Sequence, residues 1–122
     1  MAALSAVLLV MWRWRRRLIR FAVAGGSMEP TLSPGDFVTV LRLERGRPVK
    51  EGSLVVVRDP RDQETEMVKR VVGRTAAGGI IVAGDSPEKS TDSRQFGPVS
   101  RDLVIGHVVL RYWPPRRFRA FI

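Results

Sequence analysis

The chain has 122 residues, 44% of them apolar, and no cysteine. That length supports one domain with a modest core. The missing thiols exclude disulfides, cysteine nucleophiles and cysteine metal sites, and the single histidine, His107, excludes a multi-histidine centre, so no metal and no cofactor is expected.

Residues 1–12 read MAALSAVLLVMW, an uncharged, mostly apolar run. A membrane-spanning helix needs about 20 such residues. No basic stretch precedes the run and no cleavage site follows it, which argues against a removable signal peptide. An interfacial anchor, a marginal span and a helix packed on the domain all remain open, with peripheral membrane contact favoured. Five arginines follow, at positions 13, 15, 16, 17 and 20, and three more stand at Arg116, Arg117 and Arg119; setting these eight charges against the net +9 leaves +1 for the body. Both ends mix Arg with aromatics: Trp12 and Trp14, then Tyr112, Trp113, Phe118 and Phe121. That mixture suits anionic headgroups. Nucleic acid would more often meet a basic face of the fold, and solvated ends without a partner are the plain alternative. If the apolar run inserts, the arginines hold their side in the cytoplasm. The expected location is therefore cytoplasmic with membrane association; the alternative is a membrane-anchored, extracytoplasmic catalytic domain. Residues 1–20 form the N-terminal segment, 21–113 the domain and 114–122 a basic aromatic tail.

After residue 20 the pattern predicts short strands. Residues 18–24 form the first. Residues 36–43 alternate Phe37, Thr39, Leu41 and Leu43 against Val38, Val40 and Arg42. Residues 44–52 make a loop and 54–57 a buried strand. A turn at 59–62 leads to a strand over 66–73, and a turn at 76–79 leads to another over 80–82. Residues 84–97 make a long polar loop, and 103–113 a last strand ended by Pro114-Pro115. Many short strands with Gly/Pro turns and no long helix past residue 20 predict an all-β barrel or sandwich.

Between the first two strands lies Gly25-Gly26-Ser27-Met28-Glu29-Pro30-Thr31-Leu32. Pro30 and Pro34 stiffen this segment, so Ser27 is displayed on a bend, where a nucleophile belongs. A serine hydroxyl needs a base. Of 21 basic residues only Lys50, Lys69 and Lys89 are lysine. Lys50 and Lys89 fall in polar loops. Lys69 falls in a strand where alternation groups it with Met67 and Val71. If that face is inward, burial lowers the amine pKa, as a lysine base requires; on an exposed edge it is an ordinary surface lysine. His107 on its strand reads as structural rather than catalytic. In the polar loop, Asp92 and Arg94 are placed to pair, and Ser90 to hydrogen-bond an amine.

These segments, taken in order, resemble the signal peptidase I-type (S26) serine proteases. Ser27-Met28-Glu29-Pro30-Thr31-Leu32 resembles the nucleophile box, Gly35-Asp36-Phe37-Val38-Thr39-Val40 the strand box after it, and Lys69-Arg70-Val71-Val72-Gly73 the lysine box. Gly84-Asp85, Ser90-Thr91-Asp92-Ser93-Arg94 and Gly97 are similar to the last box. The resemblance spans roughly residues 25–106. It implies a compact signal peptidase/LexA-like β-barrel with a Ser/Lys dyad. Ser27 would be the nucleophile and Lys69 the general base, with Ser90 orienting the amine and Asp92 and Arg94 as a supporting ion pair. Gly26 and Met28 would flank the nucleophile. The Ser27 N–H would be one oxyanion donor. Gly25 stands where some members carry a hydroxyl donor, and Ser86 where Asn is common.

Only ten residues, 74–83, separate the lysine box from the last box, and with Arg111-Tyr112-Trp113-Pro114-Pro115 this compact form looks like the nickel-type superoxide dismutase maturation proteases. The implied substrate is then a precursor whose N-terminal extension binds as an extended strand, with nickel belonging to that substrate. The alternatives are a type I signal peptidase acting on secretory leaders and a non-catalytic membrane- or nucleic-acid-binding module.

Overall fold

The computed structural model describes residues 2–44 and 46–121, without the side chain of Arg16. Met1 of the apolar run, Arg45 of the predicted loop and Ile122 of the tail lie outside the described residues. Helix α1 (Ala2–Arg17) runs directly into strand β1 (Leu18–Ala22). Then come β2 (Phe37–Arg42), β3 (Leu54–Asp59), β4 (Asp62–Arg74), β5 (Ile80–Ala83), the one-turn helix α2 (Ser93–Phe96), β6 (Val104–Trp113) and β7 (Arg119–Ala120). All pairings are antiparallel, in the order β1-β2-β6-β3-β4-β5, with β7 also on β6. The fold is all-β, as the residue pattern and the resemblance both imply.

Alternation explains the core. Val38 and Val40 of β2, Leu54 and Val56 of β3, Val68 of β4 and Val108 of β6 bury on one face, together with Met28 and Leu32. Val55, Val57, Val71, Ile80, Val82 and Val104 bury on the other. β3 contributes to both faces, so it reads as a continuous apolar run. β4 is longer than predicted, reaching back to Asp62. From Arg70 onward it also pairs with β5, with a register irregularity between Val71 and Gly73.

The hydrogen-bonded path stays open. β1 ends the sheet, and β5 begins to pair with β4 only at Arg70. The outer edges of β1 and of the first half of β4 are therefore unpaired among the described residues. Helix α1 exposes its apolar side chains, from Leu4 and Val7 to Trp12 and Trp14. No helix among the described residues is long and apolar enough to cross a membrane. The C-terminal segment folds back: Phe121 donates its N–H to the Val109 carbonyl at 2.8 Å and packs on the core.

Candidate active site

The Ser27 segment is a loop with a closed neck. Val23 N–H donates to the Asp36 carbonyl at 2.8 Å, and Gly35 N–H to the Val23 carbonyl at 3.0 Å. Inside the loop, Glu29 N–H bonds the Gly26 carbonyl at 3.1 Å and Leu32 N–H the Met28 carbonyl at 2.9 Å. Met28 and Leu32 are its buried anchors. Apolar anchoring of Met28 leaves its neighbour Ser27 at the rim of a cleft of about 330 Å³. One wall is Phe21, Val23, Ala24 and Gly25; the other is residues 65–69 of β4, ending at Lys69. Ser27 and Lys69 therefore share one cleft between the end of β1 with the residues that follow it and the unpaired first half of β4.

Lys69 is 3% exposed. Its register partner is Val55, in the buried layer that also holds Val71, so the inward face is the one that alternation assigned to it. Its Nζ donates to Ser90 Oγ at 3.0 Å, and Ser90 Oγ donates to Asp92 Oδ2 at 3.0 Å. An ionised carboxylate only accepts, so the Ser90 proton is committed to Asp92 and its oxygen is left to accept from lysine. The lone pair of a neutral Lys69 is thereby left free for another partner. Burial holds the Lys69 amine below the ordinary lysine value; the Asp92 and Asp59 carboxylates oppose this, and Arg94 adds to it.

Asp92 is fully buried. Burial pushes its carboxyl up, but the Arg94 guanidinium, the N–H groups of Gly84 and Arg94 and the Ser90 hydroxyl outweigh that and hold it far below the usual carboxylate range. Arg94 Nε lies 3.0 Å from Asp92 Oδ1. Asp92 also caps α2, accepting from Arg94 N–H at 3.1 Å, while Gln95 Oε1 accepts from Asp92 N–H at 2.8 Å. This capping box, Asp92-Ser93-Arg94-Gln95, is a sequence signal within the stretch that polarity assigns to loop.

Gly84 locks the two halves together. A Cβ there would meet Ser90 Oγ at 2.2 Å and the Ser27 carbonyl at 2.6 Å, so only glycine allows this approach. The Ser27 carbonyl accepts from Ser86 N–H at 2.9 Å. A backbone group makes that bond, so Ser86 in place of Asn leaves it intact. Gly25 has φ +75°, a conformation that L side chains rarely adopt. A hydroxyl residue at that position would be strained in this loop, which gives a local reason for the glycine. The Ser27 N–H has no acceptor among the described residues.

Several contacts escape the residue pattern. Arg70 holds Asp85 through two hydrogen bonds of 2.8 Å, and Thr31 Oγ1 donates to Asp85 Oδ2 at 2.6 Å. The residue after Lys69 is thus fastened to the loop after Ser27. Lys89 is exposed, as its loop predicts, yet it pairs with Glu29 at 3.0 Å beside Gly26. Each pair joins positions far apart in the chain, and neither partner has a local pattern announcing the other. His107 stands opposite Val55, two strands from Lys69, and does not line the cleft. Burial and nearby Lys50 lower its pKa. No group of three His, Cys, Asp or Glu side chains among the described residues is placed to hold a metal ion.

The sequence model for "Signal peptidase, peptidase S26" matches residues 1–76 and 74–113. The chain belongs to that family. Among similar proteins is the "Mitochondrial ATP-independent inner membrane protease subunit 1a" of Arabidopsis thaliana, 34% identical, covering 79% of this chain and 71% of the relative. The "Mitochondrial inner membrane protease subunit 2" of Danio rerio is 33% identical over 80% of this chain and 65% of its own length. For "Mitochondrial inner membrane protease subunit 1" of Homo sapiens the figures are 29%, 75% and 67%. This S26 peptidase is a serine-type enzyme of the signal peptidase I type.

Proposed function

We propose that this S26 peptidase is a Ser/Lys endopeptidase that removes N-terminal leader peptides from precursor proteins at a membrane, in the manner of a type I signal peptidase. The observation that carries the reading is the Lys69 amine: buried, hydrogen-bonded to Ser90 and lining the same cleft as Ser27. Neutral Lys69 takes the Ser27 proton as Ser27 Oγ attacks the scissile carbonyl. The Ser27 N–H stabilises the oxyanion. Lys69 then returns the proton to the leaving amine, and the acyl ester on Ser27 is hydrolysed by a water that Lys69 deprotonates in turn. Ser90 orients the amine, and Asp92 with Arg94 holds Ser90. Gly26 and Met28 set the backbone of the nucleophile turn.

The substrate binds as an extended strand between the free edges of β1 and β4, whose unpaired N–H and C=O groups are complementary to it. The relatives are named for an inner membrane, and α1 exposes an apolar surface followed by arginines. Both favour leader processing at a membrane over maturation of a dismutase precursor, and neither supports a cytoplasmic location.

The test is precursor cleavage in detergent or vesicles, with N-terminal sequencing of the product. A leader-bearing membrane precursor should be cut, and Ser27→Ala and Lys69→Ala should each lower kcat by about 10³-fold or more. Full activity in Lys69→Ala overturns the dyad. Cleavage of the nickel-dismutase precursor, with leader-bearing precursors left intact, overturns the substrate class.

A further inference from the structure

A second buried cation lies behind the nucleophile loop. Arg111, on β6, is 6% exposed, and its carboxylate neighbour Asp36 is 2% exposed. Their closest approach is 3.5 Å. Arg111 Nη1 donates to the Thr31 carbonyl at 2.7 Å, and Arg111 Nε to the Arg117 carbonyl at 2.6 Å. Arg117 Nη1 reaches back to Asp36 Oδ1 at 3.0 Å. Asp36 Oδ2 accepts from Ser33 N–H at 2.9 Å, inside the nucleophile loop. The guanidinium of Arg111 also lies 5.9 Å from the centre of the Phe121 ring.

Thr31 is where this cluster meets the site. Arg111 holds its carbonyl, while its hydroxyl bonds Asp85, next to the Ser86 N–H that holds the Ser27 carbonyl. Thr31 is also inside the turn closed by Leu32 N–H on the Met28 carbonyl. A shift of Thr31 therefore moves Ser27 relative to the β4 side, where Arg70 anchors Asp85.

We propose that Arg111, with Asp36 and the folded-back residue Arg117, is a positioning device that sets Ser27 against Lys69. Arginine is required because three acceptors, the Thr31 carbonyl, the Arg117 carbonyl and the Asp36 carboxylate, must be met by one planar fork. A lysine keeps the charge but cannot meet all three. The C-terminal segment is thereby part of the catalytic apparatus, although none of its described residues lines the cleft.

The inference rests on Ser27 as nucleophile, so Ser27→Ala is measured alongside. Arg111→Lys is compared with the parent chain for thermal unfolding, kcat, KM and the rate at which a serine-directed fluorophosphonate labels Ser27. The expected result is a folded protein with kcat and labelling rate both down by about ten- to a hundred-fold and KM within about twofold, because misplacement of the nucleophile by about 1 Å carries a loss of that order. Arg117→Gln, at a half-exposed side chain, should give a smaller loss with the same split, and serves if Arg111→Lys does not fold. Unchanged kcat and labelling in the folded protein of either variant overturns the positioning role and makes the cluster purely structural. Full activity in Ser27→Ala overturns the nucleophile assignment instead.

Discussion

The two buried cations stand in opposite surroundings. Lys69 faces a hydroxyl, with the carboxylate of Asp92 one bond further away. Arg111 lies directly against the carboxylate of Asp36 and two carbonyls. A buried charge normally needs a counter-ion. Arg111 has one; burial and nearby Arg117 still lower its pKa, yet its guanidinium stays protonated. Lys69 is spaced from its own by Ser90, so burial is only partly compensated and its pKa falls. Under the proposed roles, the difference separates a group that must hold still from one that must gain and lose a proton. It also accounts for the residue types: arginine cannot deprotonate at any useful pH, and lysine can.

The most severe way to break the contrast is Lys69→Arg, which places a permanent charge in the cleft. Activity should drop by about 10³-fold or more, and the melting temperature should fall as well, both measurable on one preparation. Next is Ser90→Ala, which removes the spacer. The amine loses its orienting acceptor while Asp92 keeps Gly84 N–H and Arg94. A kcat loss of about a hundred-fold with little change in KM is expected from steady-state kinetics.

The pH profile reports on the Lys69 amine directly. With Lys69 as the proposed general base, its neutral form is the active one, so kcat/KM should rise with pH, with a midpoint below the ordinary lysine value of 10.5. Arg94 pushes that midpoint down, so Arg94→Gln should move the rising limb to higher pH; a limb that does not move removes Arg94 from the electrostatics of the site.

The smallest effect is on stability. A lysine whose folded pKa is lowered carries a penalty at low pH that vanishes above the unfolded value. Lys69→Met should therefore be inactive yet more stable near neutral pH, by about 1 kcal/mol or ~4 °C in Tm. The gain should shrink as pH approaches 10.5. A Tm below that of the parent would show that the buried amine is adequately compensated.

The legible part of this site is local. Period-two alternation assigns Lys69 to the Met67/Val71 face, and the buried layer there contains Val55 and Val71. Gly and Pro spacing places Ser27 on a turn. Strand β7 and the Arg111 cluster are not legible, because a two-residue strand has no periodicity, and Arg111 and Thr31 are 80 positions apart. In composition, Arg117 is one more charge on a basic tail; folded, it is an Asp36 ligand. The polar loop likewise hides α2, whose capping box is present in the sequence but followed by only one helical turn.

Half of strand β4 is left without a partner on its outer edge among the described residues. An unpaired edge is open to any extended chain, including another copy's β1 or β4, and such edges seed aggregation. Here Asp62, Glu64 and Glu66 are exposed along that stretch. Two such edges brought together would oppose carboxylate to carboxylate. In a chain whose remaining charge is strongly positive, this short acidic border disfavours such edge-to-edge pairing while leaving the backbone of β4 unpaired.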